Sequence, residues 1–260
     1  MNLINDLISN VPTNGRFLYS AFSRFMPSDT IDFFEDMGVS LKVERGNRVF
    51  PESDKASDIV DALNAFSQDA GAKRIKGTVK ELLIDDSAVK GVVLDDGTEL
   101  NAESVIVATG GASYPLTGST GDGYRFAEQA GHTVIDIKPS LVPVVCHEGF
   151  CMDLQGLSLK NVEISVYDTE NYKEIYKDFG EMLFTHFGVS GPLILSASSH
   201  MKDIKERKYE INIDLKPALS YEQLDKRIQR DFLENSNKNF INALDALLPK
   251  KLVPVIVKLS

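Results

Sequence analysis

Residues 104–131 run from an apolar stretch through a glycine-rich loop into a helix pattern, an order that commits the chain to an α/β architecture. Residues 104–109 are short and almost wholly apolar (Val105-Ile106-Val107-Ala108), the composition of a strand buried on both faces. That stretch ends on Gly110-Gly111, and a loop of Gly, Ser, Thr and Pro leads to a helix over 124–130 with Gly131 as its stop. A buried strand that feeds a helix N-terminus through glycines lets bare backbone approach a ligand and aims free N–H groups at an anion. Thr120 is placed to cap the helix, while Gly121 and Gly123 clear the approach. Asp122 complements the helix dipole but repels a phosphate docked on that turn. A carboxylate there suits a hydroxyl-rich partner such as a ribityl chain. The same residues also read as an ordinary glycine-rich turn.

Around this unit the hydrophobic period changes twice. Leu3, Ile4, Leu7 and Ile8 share one helical face, as do Phe17, Leu18, Ala21, Phe22 and Phe25. Ser28 or Asp29 can cap a helix through Phe33, Phe34 and Met37, and a clearer helix opens at Ser53 and runs to Gly71. Residues 39–43 and 48–50 read as short strands around an Arg45-Gly46-Asn47 turn. From Lys76 the period becomes two, with strands over 78–84, 89–94 and 99–100 joined by Asp85-Asp86-Ser87 and Asp95-Asp96-Gly97. Composition shifts again near Lys138-Pro139, the expected domain boundary. Beyond it lie expected strands at 141–146, 161–167 and 209–215 and a glycine-punctuated segment over 180–199. The end, 221–248, reads as a helical hairpin broken near Asn235-Ser236-Asn237.

The chain has 28 basic and 38 acidic residues, a formal charge of −10. Such a balance disfavours bulk binding to phosphate backbones or anionic membranes, so neither nucleic acid nor membrane is an expected partner. No apolar run approaches the ~20 residues that span a bilayer. Residues 1–6 lack the basic and long apolar parts of a signal peptide, and two cysteines, Cys146 and Cys151, suit a reducing cytosol. A cytoplasmic location is therefore expected. Gly121-Asp122-Gly123-Tyr124-Arg125-Phe126 starts like Gly-x-Gly-x-x-Gly but carries Phe at the third glycine, and neither a Walker A loop nor a Gly-x-Ser-x-Gly elbow is present. Cys146, His147 and Cys151 match no zinc spacing and read as a buried or half-buried thiol pair. Among the four histidines, His132 and His200 read as surface residues. His186 lies in an apolar stretch broken by Thr185, Gly188, Ser190 and Gly191, where a core histidine and a site histidine are both open readings.

Taken together, several stretches resemble one bacterial flavoprotein family, described as BaiN-type or YhiN-like, NAD(P)/FAD-dependent or aminoacetone-oxidase-like. They are Asn14-Gly15-Arg16-Phe17-Leu18-Tyr19-Ser20-Ala21-Phe22, Arg48-Val49-Phe50-Pro51-Glu52-Ser53-Asp54-Lys55-Ala56, Val107-Ala108-Thr109-Gly110-Gly111-Ala112-Ser113-Tyr114-Pro115, Gly118-Ser119-Thr120-Gly121-Asp122-Gly123-Tyr124, Pro139-Ser140-Leu141-Val142-Pro143 and the run from Gly180 to Pro192 that contains Thr185-His186-Phe187-Gly188-Val189-Ser190-Gly191. The resemblance implies an incomplete glutathione-reductase-like FAD domain over 1–138, built on the meander and the Ala-Thr-Gly-Gly strand. Residues 139–260 would then be an inserted, substrate-side domain of strands and a helical hairpin. It places Thr109, Gly110 and Gly111 beside FAD, Thr120, Gly121, Asp122 and Gly123 on the loop facing it, and the backbone of Val79 at the adenine. The family's opening Gly-x-Gly-x-x-Gly unit and closing FAD segment have no counterpart in these residues, so the chain reads as the middle of the family protein.

These readings give an FAD-dependent oxidoreductase that moves a hydride or electron pair between a small organic substrate and flavin, with NAD(P)H as an expected donor. His186 is the expected catalytic residue, assisting proton transfer on the substrate side. No metal is expected. The alternative is a non-catalytic partner-binding or assembly module derived from a flavoprotein, in which exposed apolar surface favours homo-oligomers.

Overall fold

The computed structural model describes residues 3–44 and 47–260, which divide into two compact units, Met1–Ile137 and Lys138–Ser260. Both mix helices with small sheets, an α/β composition. Among the described residues every strand pairing is antiparallel.

In the first unit, α1 (Leu3–Ser9), a 3-10 turn (Gly15–Leu18) and α2 (Tyr19–Phe22) lead to α3 (Pro27–Asp36). The expected cap at Ser28 or Asp29 is displaced. Met26 occupies the cap position because Pro27, with no N–H to lose, suits the first helical residue, and Asp29 reaches back to accept the Met26 N–H at 2.6 Å. The hairpin β1 (Leu41–Glu44) and β2 (Arg48–Pro51) follows. Arg45 and Gly46 of its expected turn lie outside the described residues, and Asn47 is left-handed at φ 57°. The Ser53 hydroxyl, placed ahead of α4 (Ala56–Asp69), accepts the Lys55 N–H at 3.2 Å and donates to Asp58 at 2.5 Å. Phe33 meets Phe66 edge to face at 5.1 Å, fixing α3 against α4.

The meander forms as its alternation requires, with β3 (Val79–Asp85), β4 (Ala88–Leu94) and β5 (Glu99–Asn101) in that order. Asp86 and Ser87, at φ 46° and 61°, make the primed turn that matches strand twist. The expected strand over 104–109 is absent. Its backbone enters no ladder, and Ile106 is 91% exposed. Apolar composition supplies a reason to bury a strand, but a strand exists only where a neighbour takes its N–H and C=O groups. Among the described residues none runs beside it. The unit ends with a 3-10 turn (Pro115–Thr117) and α5 (Asp122–Gln129), with Phe126 buried.

The second unit is built on one five-stranded sheet. In chain order its elements are β6 (Val144–Val145), α6 (Phe150–Asp153), β7 (Ser158–Asp168), β8 (Lys173–Thr185), β9 (Gly188–Ser190), α7 (Pro192–Ser198) and β10 (Tyr209–Asp214). The sheet order is β10-β7-β8-β9-β6. Strict alternation on β7 buries Val162, Ile164 and Val166 against Met182 and Phe184 of β8 and Leu193, Ile194 and Ala197 of α7. The expected strand over 141–146 shrinks to two residues. Leu141 turns left-handed at φ 53°, and the Val142 N–H goes to the buried Ser198 hydroxyl at 2.9 Å instead of a neighbouring strand.

At the C-terminal end, α8 (Tyr221–Glu234) opens with a reciprocal cap: Ser220 accepts the Gln223 N–H at 3.3 Å and Gln223 accepts the Ser220 N–H at 2.9 Å. After the expected break come α9 (Phe240–Ala243), only one turn long, and α10 (Val253–Leu259). Leu244, Leu247 and Val253 pack here with Leu224, Ile228 and Phe232 of α8.

Gly188 carries this sheet's edge. A Cβ there would stand 2.2 Å from the Val144 carbonyl oxygen and 2.6 Å from the Cys146 nitrogen, both backbone. Gly188→Ala should therefore break the β6–β9 pairing and cost about 2 kcal/mol or more, seen as a lowered urea midpoint. Gly149→Ala, which meets nothing within 4 Å, should change that midpoint by less than about 0.5 kcal/mol equivalent.

Candidate functional site

The glycine loops are positioned by α5. Its Gln129 side chain behaves as a strand partner for β3, accepting the Leu82 N–H at 2.9 Å and donating to the Leu82 carbonyl at 2.9 Å. One turn earlier, Arg125 donates to the Lys80 carbonyl. These contacts hold the helix along the free edge of the meander, with Phe126 turned inward. The N-terminus of α5 is thereby fixed, and the loop before it is brought onto the 107–111 stretch.

There the two loops touch through their glycines. The Gly121 N–H donates to the Gly111 carbonyl at 3.1 Å. A Cβ on Gly123 would lie 2.8 Å from Thr109 Oγ1 and 3.5 Å from Val107 Cγ1, and one on Gly110 would lie 2.9 Å from Ser119 Oγ. Gly110 and Gly123 thus serve loop-to-loop packing. Gly118 has nothing within 4 Å of its Cβ position, and Gly111 has only the Tyr124 hydroxyl at 3.5 Å. Space is open beside those two, while Gly118 bonds the Pro115 carbonyl and the Thr120 N–H and the Gly111 carbonyl takes the Gly121 N–H.

Thr120 does not cap the helix as expected. Gly121, left-handed at φ 85°, holds the cap position, and the Thr120 hydroxyl instead donates to Asp122 at 2.5 Å. That bond, followed by the Arg125 guanidinium at 2.9 Å, holds the Asp122 carboxyl below the usual carboxylate range. The site therefore keeps a fixed negative charge at the start of α5, balanced on one side by Arg125. Val79 opens β3 opposite Leu94 and is half-buried, three residues before the Leu82 clamp.

His186 belongs to the second unit. With Phe187 it forms the two-residue turn between β8 and β9, exposed, its ring edge-to-face on Phe187 at 4.9 Å. Among the described residues it makes no hydrogen bond, so neither the core reading nor a backbone-bonded ring describes it. The Gly188 N–H is instead taken by Thr185 Oγ1 at 3.1 Å. His200, expected on the surface, is half-buried against Tyr176 at 5.0 Å, where burial and then Lys202 hold its pKa below the ordinary value.

The thiol pair is present, with Cys151 3% exposed and Cys146 half-buried. The Cys146 thiol donates to the Val144 carbonyl, Sγ to O at 4.0 Å, and among the described residues no His, Cys, Asp and Glu cluster could hold a metal ion. His147 turns away to Arg207, Nε2 to Nη2 at 2.8 Å.

Arg125 and Gln129 escaped the sequence reading. With Asp122 they occupy positions i, i+3 and i+7 of α5, a polar stripe beside buried Phe126. That spacing was visible, but its partner, the bare edge of a distant strand, was not. Gln129→Leu should leave the Leu82 N–H and C=O without their partner and cost about 1–3 kcal/mol in denaturant unfolding, loosening α5. A variant whose stability matches the parent would remove the clamp.

Burial, then the neighbouring Cys151, pushes the Cys146 thiol from 9.0 up to about 12. The unfolded thiol ionises first as pH rises, so the stability tied to this proton is intact below pH 9.0 and declines from there toward 12. The urea midpoint of the parent should fall more steeply above pH 9.0 than that of Cys146→Ala.

Comparison with known proteins adds the family. The chain is 31% identical over 251 residues to the ribosomal RNA dihydrouridine synthase of Haemophilus influenzae, covering 94% of this chain and 59% of that protein. It is 31% identical over 249 residues to the Escherichia coli protein of the same name, covering 95% and 58%. Its identity to the 3-dehydro-bile acid delta(4,6)-reductase of Clostridium scindens is 27% over 265 residues, covering 100% and 63%. The chain thus spans about three fifths of the length of the curated relatives it matches. The HI0933-like protein Rossmann domain matches residues 2–199, which include both glycine loops. By that match the chain belongs to the HI0933-like Rossmann-domain family.

Proposed function

We propose that these residues form part of a flavin-dependent reductase that adds hydrogen across a carbon–carbon double bond of a ring substrate. The observation that carries this reading is the pair of clamped glycine loops in a Rossmann-family chain, with open space beside Gly111 and Gly118. Thr109–Gly111 and Gly118–Gly123 would hold the flavin, expected to be FAD. Asp122, kept ionised by Thr120 and Arg125, favours a hydroxyl-bearing segment over a phosphate at the start of α5. When bound, the flavin supplies the hydride, drawn from an expected NAD(P)H donor, and the protein supplies position and solvent exclusion. His186, exposed and without a hydrogen bond among the described residues, is the proposed proton source.

The relatives' names support reduction over amine oxidation, since a dihydrouridine synthase and a delta(4,6)-reductase both describe saturation of a double bond. Two of those names contain ribosomal RNA. The excess of 38 acidic over 28 basic residues favours a small-molecule substrate within this stretch, and the test includes both.

FAD titrated into the chain should show saturable quenching of flavin fluorescence, weak enough to be lost on desalting because no Gly-x-Gly-x-x-Gly lies within these residues. Gly121→Val should weaken it about tenfold or more, since φ 85° excludes a branched side chain. No saturable quenching would leave the non-catalytic reading. In a protein of full family length, NAD(P)H oxidation should be tied to reduction of an unsaturated ring ketone or of uridine in ribosomal RNA. His186→Gln should keep the flavin and lose turnover.

A further inference from the structure

We propose that the first unit carries a second, separate binding site: an apolar cleft that takes a neutral, ring-bearing small molecule. It lies between the α2–α3 corner, the β1–β2 hairpin and α4, with a volume of about 480 Å³. That is within the ~300–1,000 Å³ of typical small-molecule sites. The proposal is independent of the flavin reading.

The walls are carbon. Phe22, Phe25 and Phe34 supply three rings, and Ile31 and Ile59 face them from α3 and α4. Thr30 is the only polar side chain among the lining residues, and its hydroxyl is engaged with the Met26 carbonyl at 3.4 Å. The cleft therefore offers a ligand no side-chain hydrogen-bond donor of its own. A charged group placed there would lose its hydration without compensation. An anion is disfavoured further, because α3 carries Asp29, Asp32, Glu35 and Asp36 and the chain has a formal charge of −10. Aromatic walls favour a ring over a flexible chain, since ring faces and edges pair at defined geometries.

The cleft is held open by contacts that lie outside it. Phe33, on the other side of α3, is locked to Phe66 of α4 at 5.1 Å. Pro27 and the Asp29–Met26 bond fix where α3 begins. The hairpin wall is set by the Leu41–Pro51 register, and the Lys42–Asp54 ion pair at 2.6 Å ties its start to the segment that follows β2. Closing the cleft would require breaking these, so its volume belongs to the folded state.

The test uses the whole chain and two dyes of similar ring size and opposite charge character. N-phenyl-1-naphthylamine, which is neutral, should bind saturably at one molecule per chain with blue-shifted emission. Anilinonaphthalene sulfonate, which is anionic, should bind about tenfold more weakly or worse. Neutral-dye binding should shift the methyl NMR signals of Ile31, Ile59 and Val49. Ile31→Gln should abolish binding with circular dichroism unchanged. Thr30→Val, which adds apolar surface and no charge, should retain binding, so that misfolding of the first variant does not decide the matter. Ile106→Ser, in the exposed stretch, should bind like the parent. Equal affinity for both dyes, binding lost in Ile106→Ser but kept in Ile31→Gln, or a dimer that Ile31→Gln dissociates would each overturn the proposal.

Discussion

The two hydrogen bonds between the Gln129 side chain and Leu82 set the geometry on which the glycine loops depend. A primary amide carries a donor and an acceptor at the spacing of a peptide group, so it can complete a strand edge where no strand runs. By satisfying both Leu82 groups it turns the edge of the meander into a seat for α5. Everything N-terminal on that helix is then indexed to β3: Arg125 at Lys80, Asp122 with its two partners, and Gly121 against Gly111. A helix held only by Phe126 could slide or rotate by a few ångströms, and the loop contacts at Gly110 and Gly123 would not survive it.

The second unit solves a different problem. Its sheet buries one face by strict alternation and covers it with α7, so apolar burial alone orients the elements. Polar groups that enter this interior are satisfied locally: Ser198 accepts from Val142 and donates to Leu195. The same economy holds for the two thiols, which stay protonated where burial opposes charge, Cys146 donating to the Val144 carbonyl.

The sequence made local order legible and left pairing obscure. Alternation located the meander within a residue or two and β7 within three, since period-two burial is written in the residues themselves. Glycines and turn residues placed the hairpins. The capping of α3 was misplaced because Pro27 competes for the first helical position, and the capping of α5 because Thr120 found a nearer partner in Asp122. The 104–109 stretch was read as a strand from composition, yet a strand is a relation between two segments. His186 looked ambiguous for the same reason: its apolar neighbours suggested a core, while the Thr185–Gly188 pair made it the tip of a hairpin.

Ser104-Val105-Ile106-Val107-Ala108-Thr109 therefore has a second aspect. Six residues, four of them (Val105, Ile106, Val107 and Thr109) of high β-propensity, without charge or proline and with their backbone outside any ladder, make the kind of segment that templates cross-β stacking between molecules. Glu103 stands immediately before it as a charged gatekeeper, and the bend at Gly110 ends it. A half-dozen residues outside the buried core thus leave a backbone edge open to a second molecule.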